Sequence, residues 1–350
     1  MIGARRGKRA GFFEGEAASV MPKLHLTLAC WDYDRTRALS DGSVKAEGIE
    51  LNVIPLVVEE TFWRMLRHKE FDAAEMSLSS YCVSLMKPKP EFIAIPVFPS
   101  RMFRHSCFVV SAKSGIKRPA DLKGKRVGNP EYQLTAIVWM RGILQDEYGV
   151  DPESCTYFTG GEEEPGRIEK LKLELPPKIK IQPIGPAQTL SRMIADGELD
   201  AIYAPRLPST FYSEPDKVKR LFPDYVAVEQ EYYAKTKIFP IMHVVALRRD
   251  LYEANRWIAR ALMKAFETAQ AKTYADLEMI ASQKTMLPWQ SAHLEETRRV
   301  MGKYWWPYGL DANRHALDTF LRYHHEQGLS QRRLKPEDLF APETLEAFKI

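Results

Sequence analysis

Long apolar runs and a surplus of charge of either sign are both missing from this sequence of 350 residues. No stretch approaches the roughly 18 consecutive apolar residues of a membrane-spanning helix, so no membrane partner is expected. Lys and Arg number 50 against 46 Asp and Glu, a net charge of +4, and no Lys/Arg run occurs outside the extreme N-terminus. That balance argues against a nucleic-acid partner. Cysteine is scarce. The four, at 30, 82, 107 and 155, match neither a zinc spacing nor a redox pair and suit a reducing compartment. Phosphate loops are absent too: GNPEYQ and GGEEEPG supply neither G-x-x-x-x-G-K-[ST] nor G-x-G-x-x-G. No H-E-x-x-H occurs, and His324 and His325 project about 100° apart on a helix, so they do not converge on one ion. No metal ligand set is therefore assigned. Cys107 has no base at a motif spacing, which speaks against a thiol nucleophile.

The N-terminus opens basic, MIGARRGKRAGFFEGEAASVM, and Arg5-Arg6 invites comparison with an export signal. Such a signal needs an apolar stretch of roughly 7–15 residues. Glu14 and Glu16 interrupt the one candidate. Residues 1–20 therefore read as a disordered leader before a folded protein that starts near Met21 and works in the cytoplasm.

What is present is a chain long enough for two domains, with 45% hydrophobic and 27% charged residues, as in soluble globular proteins. KLHLTLAC, IELNVIPLVV, FDAAEMS, FIAIPVF and CFVVSA read as strands, with helices at EETFWRMLRHKEF and LSSYCVSLMK. From residue 113 a second α/β unit follows, with strands KRVG and KIKIQPI and helices QLTAIVWMRGILQDEYG and TLSRMIADG. IFPIMHVVALRRD returns to a strong strand. Apolar residues at 257, 258, 261, 262, 265, 266 and 269 then predict a helix, and ANRHALDTFLRYHHEQG predicts a last one. The remaining segment, LKPEDLFAPETLEAF, is expected to pack on the surface. The fold class is α/β with two lobes: residues 21–112 and 236–350 form one, residues 113–235 the other, and a ligand cleft lies between them.

FPSRMFRHS, residues 98–106, packs Arg101, Arg104 and His105 into a short turn just before the first predicted crossing between lobes. Cations held that close call for an anion, and guanidinium groups bind carboxylates bidentately. His243, just after the second crossing, is the other histidine placed to give or take a proton. Ser79 and Ser80 in MSLSSYCV, and Tyr132 and Gln133 in GNPEYQLTA, sit at predicted helix starts, where free N–H groups favour anions. Arg206 follows a strand in the second lobe. Trp31 and Asp32 follow the first strand, where loops face the cleft mouth. Asp32 could equally cap a turn or pair with Arg35.

Beyond these residues, the chain from Leu24 onward resembles the 4,5-dihydroxyphthalate decarboxylase family. The resemblance runs through EFDAAEMSLSSY, IPVFPSRMFRHS, GKRVGNPEYQLTA, IFPIMH, LPW, WWPYG and RYHHEQGL. It implies a type II periplasmic-binding-protein-like fold and decarboxylation of a small aromatic dicarboxylate to protocatechuate, as in phthalate breakdown. No organic cofactor is implied, and assistance by a divalent metal stays open, as does a homo-oligomer. The roles come from residue chemistry. Arg101 and Arg104, helped by Ser79, Ser80 and Arg206, would hold the carboxylates; His105 or His243 would protonate the ring; Asp32 or the other histidine would polarise the hydroxyl. The competing reading is a solute-binding protein of a transporter, or a cytosolic sensor, which needs the same cleft but no acid. A biosynthetic enzyme that consumes one of its own residues, with His68 or His105 in that role, is a further alternative.

Overall fold

The computed structural model describes residues 22–345, so the predicted leader lies outside the described residues. Among them no helix is long and apolar enough to cross a membrane.

Two sheets organise the chain. The first contains β1 (Leu24–Cys30), β2 (Ile49–Pro55), β3 (Ala73–Ser77), β4 (Phe92–Ile95) and β11 (His243–Arg248), in the order β2-β1-β3-β11-β4. β1 runs parallel to β2 and β3, whereas β11 is antiparallel to both β3 and β4. The second is ordered β10-β5-β9-β6-β7-β8. It uses β5 (Phe108–Ser111), β6 (Arg126–Asn129), β7 (Thr156–Thr159), β8 (Lys180–Pro183), β9 (Ala201–Tyr203) and β10 (Val218–Arg220). The strands FIAI and FVVS are buried at every position, which is why they read as unbroken apolar runs rather than alternating ones.

Helices cover the sheets. In the first lobe these are α1 (Asp34–Ser40), α2 (Val58–His68), α3 (Leu78–Ser84), α8 (Arg249–Ala254) and α9 (Trp257–Glu278). In the second they are α4 (Thr135–Tyr148), α5 (Leu190–Asp196) and α6 (Ser209–Ser213), and α7 (Tyr225–Thr236), α10 (Gln290–Met301) and α11 (Arg314–Glu326) complete the set. α2 shows the local logic. Glu59 and Glu60 suit its first turn, Phe62, Met65 and Leu66 face the sheet, and Lys69 ends it in a left-handed conformation with φ 52°.

Three expectations are corrected. β5 pairs with β9 and β10, so it belongs to the second sheet, and the first crossing runs through residues 96–107 instead of after 112. Residues 236–350 do not stay in one lobe. α11 leaves the first lobe to pack on α4, where a Cβ added to Gly142 would lie 2.1 Å from the Tyr323 ring. The last segment is core rather than surface. Leu334, Leu339 and Phe340 are buried, Phe340 bridges to Ala94 at the edge of the first sheet, and the Tyr81 hydroxyl donates to the Leu339 carbonyl at 2.5 Å.

Candidate functional site

Parallel strands point their C-terminal ends, and the loops that follow, toward one edge of a sheet. Here those edges face each other across a cleft of about 400 Å³. The first lobe contributes Trp31, Tyr33, Glu59, Phe62, Ser77, Arg104 and His243; the second contributes Thr135, Arg167, Lys170 and Arg206. A larger hollow of about 920 Å³ lies between α9 and the C-terminal segment. It is lined by Glu47, Glu267, Asp311 and Glu343 together with Arg260 and Lys264. The inter-lobe cleft is the cavity that residues singled out from the sequence line.

Strand register places the first functional side chain. β11 pairs antiparallel with β3 so that His243 stands opposite Ser77 at the cleft edge. Two positions back along β3 is Glu75, completely buried between Ala74 and Met76. Its carboxylate lies 2.6 Å from Nδ1 of His243. It also accepts from the Tyr33 hydroxyl at 2.7 Å, the Trp31 backbone N–H at 3.1 Å and the Cys30 thiol at 3.6 Å. Burial opposes charge on Glu75, but the His243 charge and the donated hydrogen bonds win and hold the carboxyl below its usual range. Burial first, and then the Glu75 charge, pushes the Tyr33 phenol far upward, so it stays a donor. Phe62 meets the His243 ring edge-on at 4.9 Å.

The floor of the cleft is a meeting of two helix starts. Ser77 caps α3 by accepting from the Ser80 N–H at 3.4 Å, and Thr135 opens α4. Their hydroxyls are 2.8 Å apart, and the Ser79 N–H donates to the Thr135 hydroxyl at 2.9 Å.

The cations differ in how they are matched. Arg167 and Lys170 both grip the buried carboxylate of Glu131, and Arg206 reaches across the cleft to Glu59. Arg104 is different. It is buried, its Nη1 donates to the Pro205 carbonyl at 3.2 Å and its Nε to the Met242 sulfur at 3.2 Å, and among the described residues no carboxylate pairs with it. Desolvation lowers its pKa, and only weak nearby charges offset that effect. A buried guanidinium without a carboxylate partner is costly to desolvate, and its hydrogen bonds here go to those two neutral acceptors.

Of the residues singled out from the sequence, Trp31, Arg104, Arg206 and His243 line the cleft. The others do not. Arg101 turns away and donates to the carbonyls of Phe239 (3.1 Å) and Pro307 (2.8 Å) and to Asn313, fastening the loop before α11. His105 is sealed among Phe108, Phe222 and Tyr232. Burial brings its pKa down to about 4 and neither ring nitrogen has a partner, so it cannot reach a ligand in the cleft. Asp32 pairs with Arg37 at 3.0 Å on the surface. Ser79, Ser80, Tyr132 and Gln133 are buried behind the wall, where Ser80 donates to Gln133 at 3.4 Å and Tyr132 to the Gln327 carbonyl at 3.2 Å. Their neighbours Ser77 and Thr135 take the facing positions. Sequence reading passed over Glu75, Tyr33, Glu59, Arg167 and Lys170. A signal existed for Glu75, an acid set between Ala74 and Met76 inside a predicted strand; for Arg167 and Lys170, in a loop, there was none. Among the described residues no group of three or more His, Cys, Asp or Glu is placed to hold a metal ion.

No protein-family model matches the chain. A curated 4,5-dihydroxyphthalate decarboxylase from Comamonas testosteroni is 44% identical over 330 residues, covering 94% of this chain and all of the relative. One of the same name from Pseudomonas putida is 43% identical over 214 residues, 61% of this chain and 83% of that protein. Among solved structures, a periplasmic sulfonate-binding protein from Methylobacillus flagellatus KT has a TM-score of 0.53 at 14% identity, covering 92% of this chain and 93% of the other. A ligand-binding component of an ABC-type import system from Staphylococcus aureus gives 0.50 at 12% identity, covering 92% and 98%. These two likenesses establish the fold, two-lobed and of periplasmic-binding-protein type. With the Comamonas relative matched along its whole length, the chain belongs to the 4,5-dihydroxyphthalate decarboxylase family.

Proposed function

We propose that the cleft holds a hydroxylated aromatic dicarboxylate, 4,5-dihydroxyphthalate, and releases one carboxylate as CO2 to leave protocatechuate. The observation that carries this reading is the buried, carboxylate-free Arg104 in the same cavity as His243. Arg104 binds one carboxylate, assisted by the Ser77 and Thr135 hydroxyls. Arg167, Lys170 and Arg206 supply further positive charge around the second. Each carboxyl-bearing carbon of this substrate has a hydroxyl para to it. As that hydroxyl gives up its proton to water, which returns one to the product's phenolate at the end, electron density moves to the ring carbon, the His243 imidazolium delivers a proton there and a C–H bond forms. The C–C bond to the carboxylate then breaks, its electron pair restores aromaticity, and CO2 departs. The protein's share is orientation and proton transfer.

The chemistry calls for no organic cofactor, and a chelator arm in the assay tests for help from a divalent ion. Four unpaired, buried cysteines are in keeping with action in the cytoplasm, which cell fractionation checks. A solute receptor would need the anion site but not the acid, so the decisive comparison separates binding from turnover. His243→Gln should cut CO2 release about 10²–10⁴-fold, the usual worth of a placed general acid. Phthalate should still bind it within a few-fold by calorimetry. Arg104→Met should weaken phthalate binding at least tenfold. Undiminished turnover in His243→Gln would remove the acid assignment; a wild-type protein that binds phthalate but releases no CO2 from any hydroxylated phthalate would return the receptor reading.

A further inference from the structure

Glu75 has an environment that structural duty alone does not explain. It sits on β3, flanked by strands on both sides, where an apolar residue would pack without any charge to satisfy. Ion pairs buried at such positions are commonly no more stabilising than a well-packed apolar substitute. Yet the carboxylate is met by donors on both oxygens. Oε1 takes His243 Nδ1 and the Tyr33 hydroxyl, and Oε2 takes the Trp31 N–H and the Cys30 thiol. A carboxylate offers about four acceptor directions, so its capacity is filled by the protein. With no exposed surface it cannot touch a substrate.

Of its partners, the His243 imidazole has a second nitrogen to offer. Among the described residues Nε2 has no protein partner, and the ring borders the cleft. Phe62 packs edge-on against the ring at 4.9 Å. The Glu75 contact sets the arrangement: hydrogen on Nδ1, and Nε2 toward the cavity.

We propose that Glu75, itself supported by Tyr33, is the positioning residue for His243, fixing the tautomer and aim of the ring so that Nε2 is the atom that exchanges protons with the substrate. This rests on the reading of His243 as the proton donor. Glu75 stays ionised throughout. The imidazolium gives its Nε2 proton to the ring carbon, which leaves a lone pair on Nε2 and the hydrogen on Nδ1 still bonded to Glu75. Nε2 regains a proton from water, and no other group of the protein changes charge.

The test uses the full chain with Glu75→Gln, Glu75→Asp and Tyr33→Phe, together with nitrogen-15 NMR of histidine-labelled wild-type protein, the His243 signals being assigned by their loss in His243→Gln. The wild-type spectrum should show the hydrogen on Nδ1 in the neutral ring. Glu75→Gln should lower kcat about 10²–10⁴-fold, as when the orienting acid of a catalytic triad is made an amide, with KM and phthalate affinity within threefold. Glu75→Asp, which keeps the charge, should recover at least tenfold of that loss, and Tyr33→Phe should cost less than Glu75→Gln. A neutral wild-type ring carrying hydrogen on Nε2 overturns the proposal even if no variant folds. So does a Glu75→Gln enzyme with unchanged kcat, or one in which kcat and affinity fall together and Glu75→Asp rescues neither. Should His243→Gln itself keep full turnover, the reading of the cleft fails first, whatever the Glu75 result.

Discussion

His105 and His243 set the same side chain in opposite surroundings. His243 has a carboxylate behind it and a cavity in front; His105 has aromatic rings about 5.3 Å and 5.4 Å away on two sides and no polar partner. Burial depresses the pKa of His105 to about 4 from 6.5, and that of His324 to about 3. Both folded values lie below the unfolded one, so between pH 6.5 and about 4 the unfolded chain binds more protons. The stability these two groups allow is therefore complete above pH 6.5 and is lost as pH falls through that window. His105→Leu, similar in volume and unable to titrate, should flatten the acid side of the profile. Urea midpoints at pH 7.5 and 5.0 should differ less for the variant than for wild type, and an equal drop in both would show that His105 does not contribute. The sequence gives no means of separating the two histidines, since both adjoin apolar strands at lobe crossings. Burial and the Glu75 contact, each built from residues distant along the chain, do that.

At the scale of elements, the contact between α4 and α11 decides more than either helix's own propensity. Gly142 lies inside α4, where Ala would ordinarily gain about 1 kcal/mol in an exposed helix. Here the added methyl would meet the Tyr323 ring at 2.1 Å, and the Tyr323 hydroxyl is tied to Asp146 at 2.6 Å, so the ring cannot yield freely. Gly142→Ala should therefore destabilise by roughly 1–3 kcal/mol, the cost of overpacking, read as a lowered Tm. A raised Tm would mean that α11 is only loosely docked. α4, α9 and α11 were legible because apolar residues recur along them at helical spacing. α1 was not, because a seven-residue helix such as DRTRALS has too few turns to show a period, and its buried Thr36, Ala38 and Leu39 find their partner in α9, more than 200 residues on. The closing segment departs from its expected surface position for a related reason. Its polar composition hid Leu339 and Phe340, which matter only once they sit at the edge of β4.

Across the whole molecule the lobes are fastened to each other beyond their two crossings. The Trp139 indole N–H donates to the Ile241 carbonyl at 2.8 Å, and Ser77 and Thr135 join hydroxyls across the seam. Gln327, after α11, donates to the Val138 carbonyl at 3.0 Å and accepts from Arg141 at 2.7 Å, before the chain returns to the first sheet. His324 lies 3.1 Å from the Ser79 hydroxyl. One apolar core passes without a break through Tyr81, Phe98, Phe108, Trp139 and Phe320. Such a seam resists the wide hinge opening available to two-lobed folds. Phthalate should leave the radius of gyration unchanged in small-angle scattering, with the exposed Arg206–Glu59 pair the part of the cleft mouth that gives way. Measurable compaction on binding would show the lobes to be hinged after all.

The sequence by itself determined the α/β class, the two-lobed plan and the family. These rest on apolar periodicity and on contiguous residue strings, which a linear reading retains. Tertiary structure alone decided which cation faces the cleft, which histidine borders it, and that Glu75 stands behind that ring. Whether Arg101 or Arg104 turns inward depends on the few ångströms by which Asn313 and Pro307 approach one and not the other, and such distances arise only when residues 200 apart are packed together.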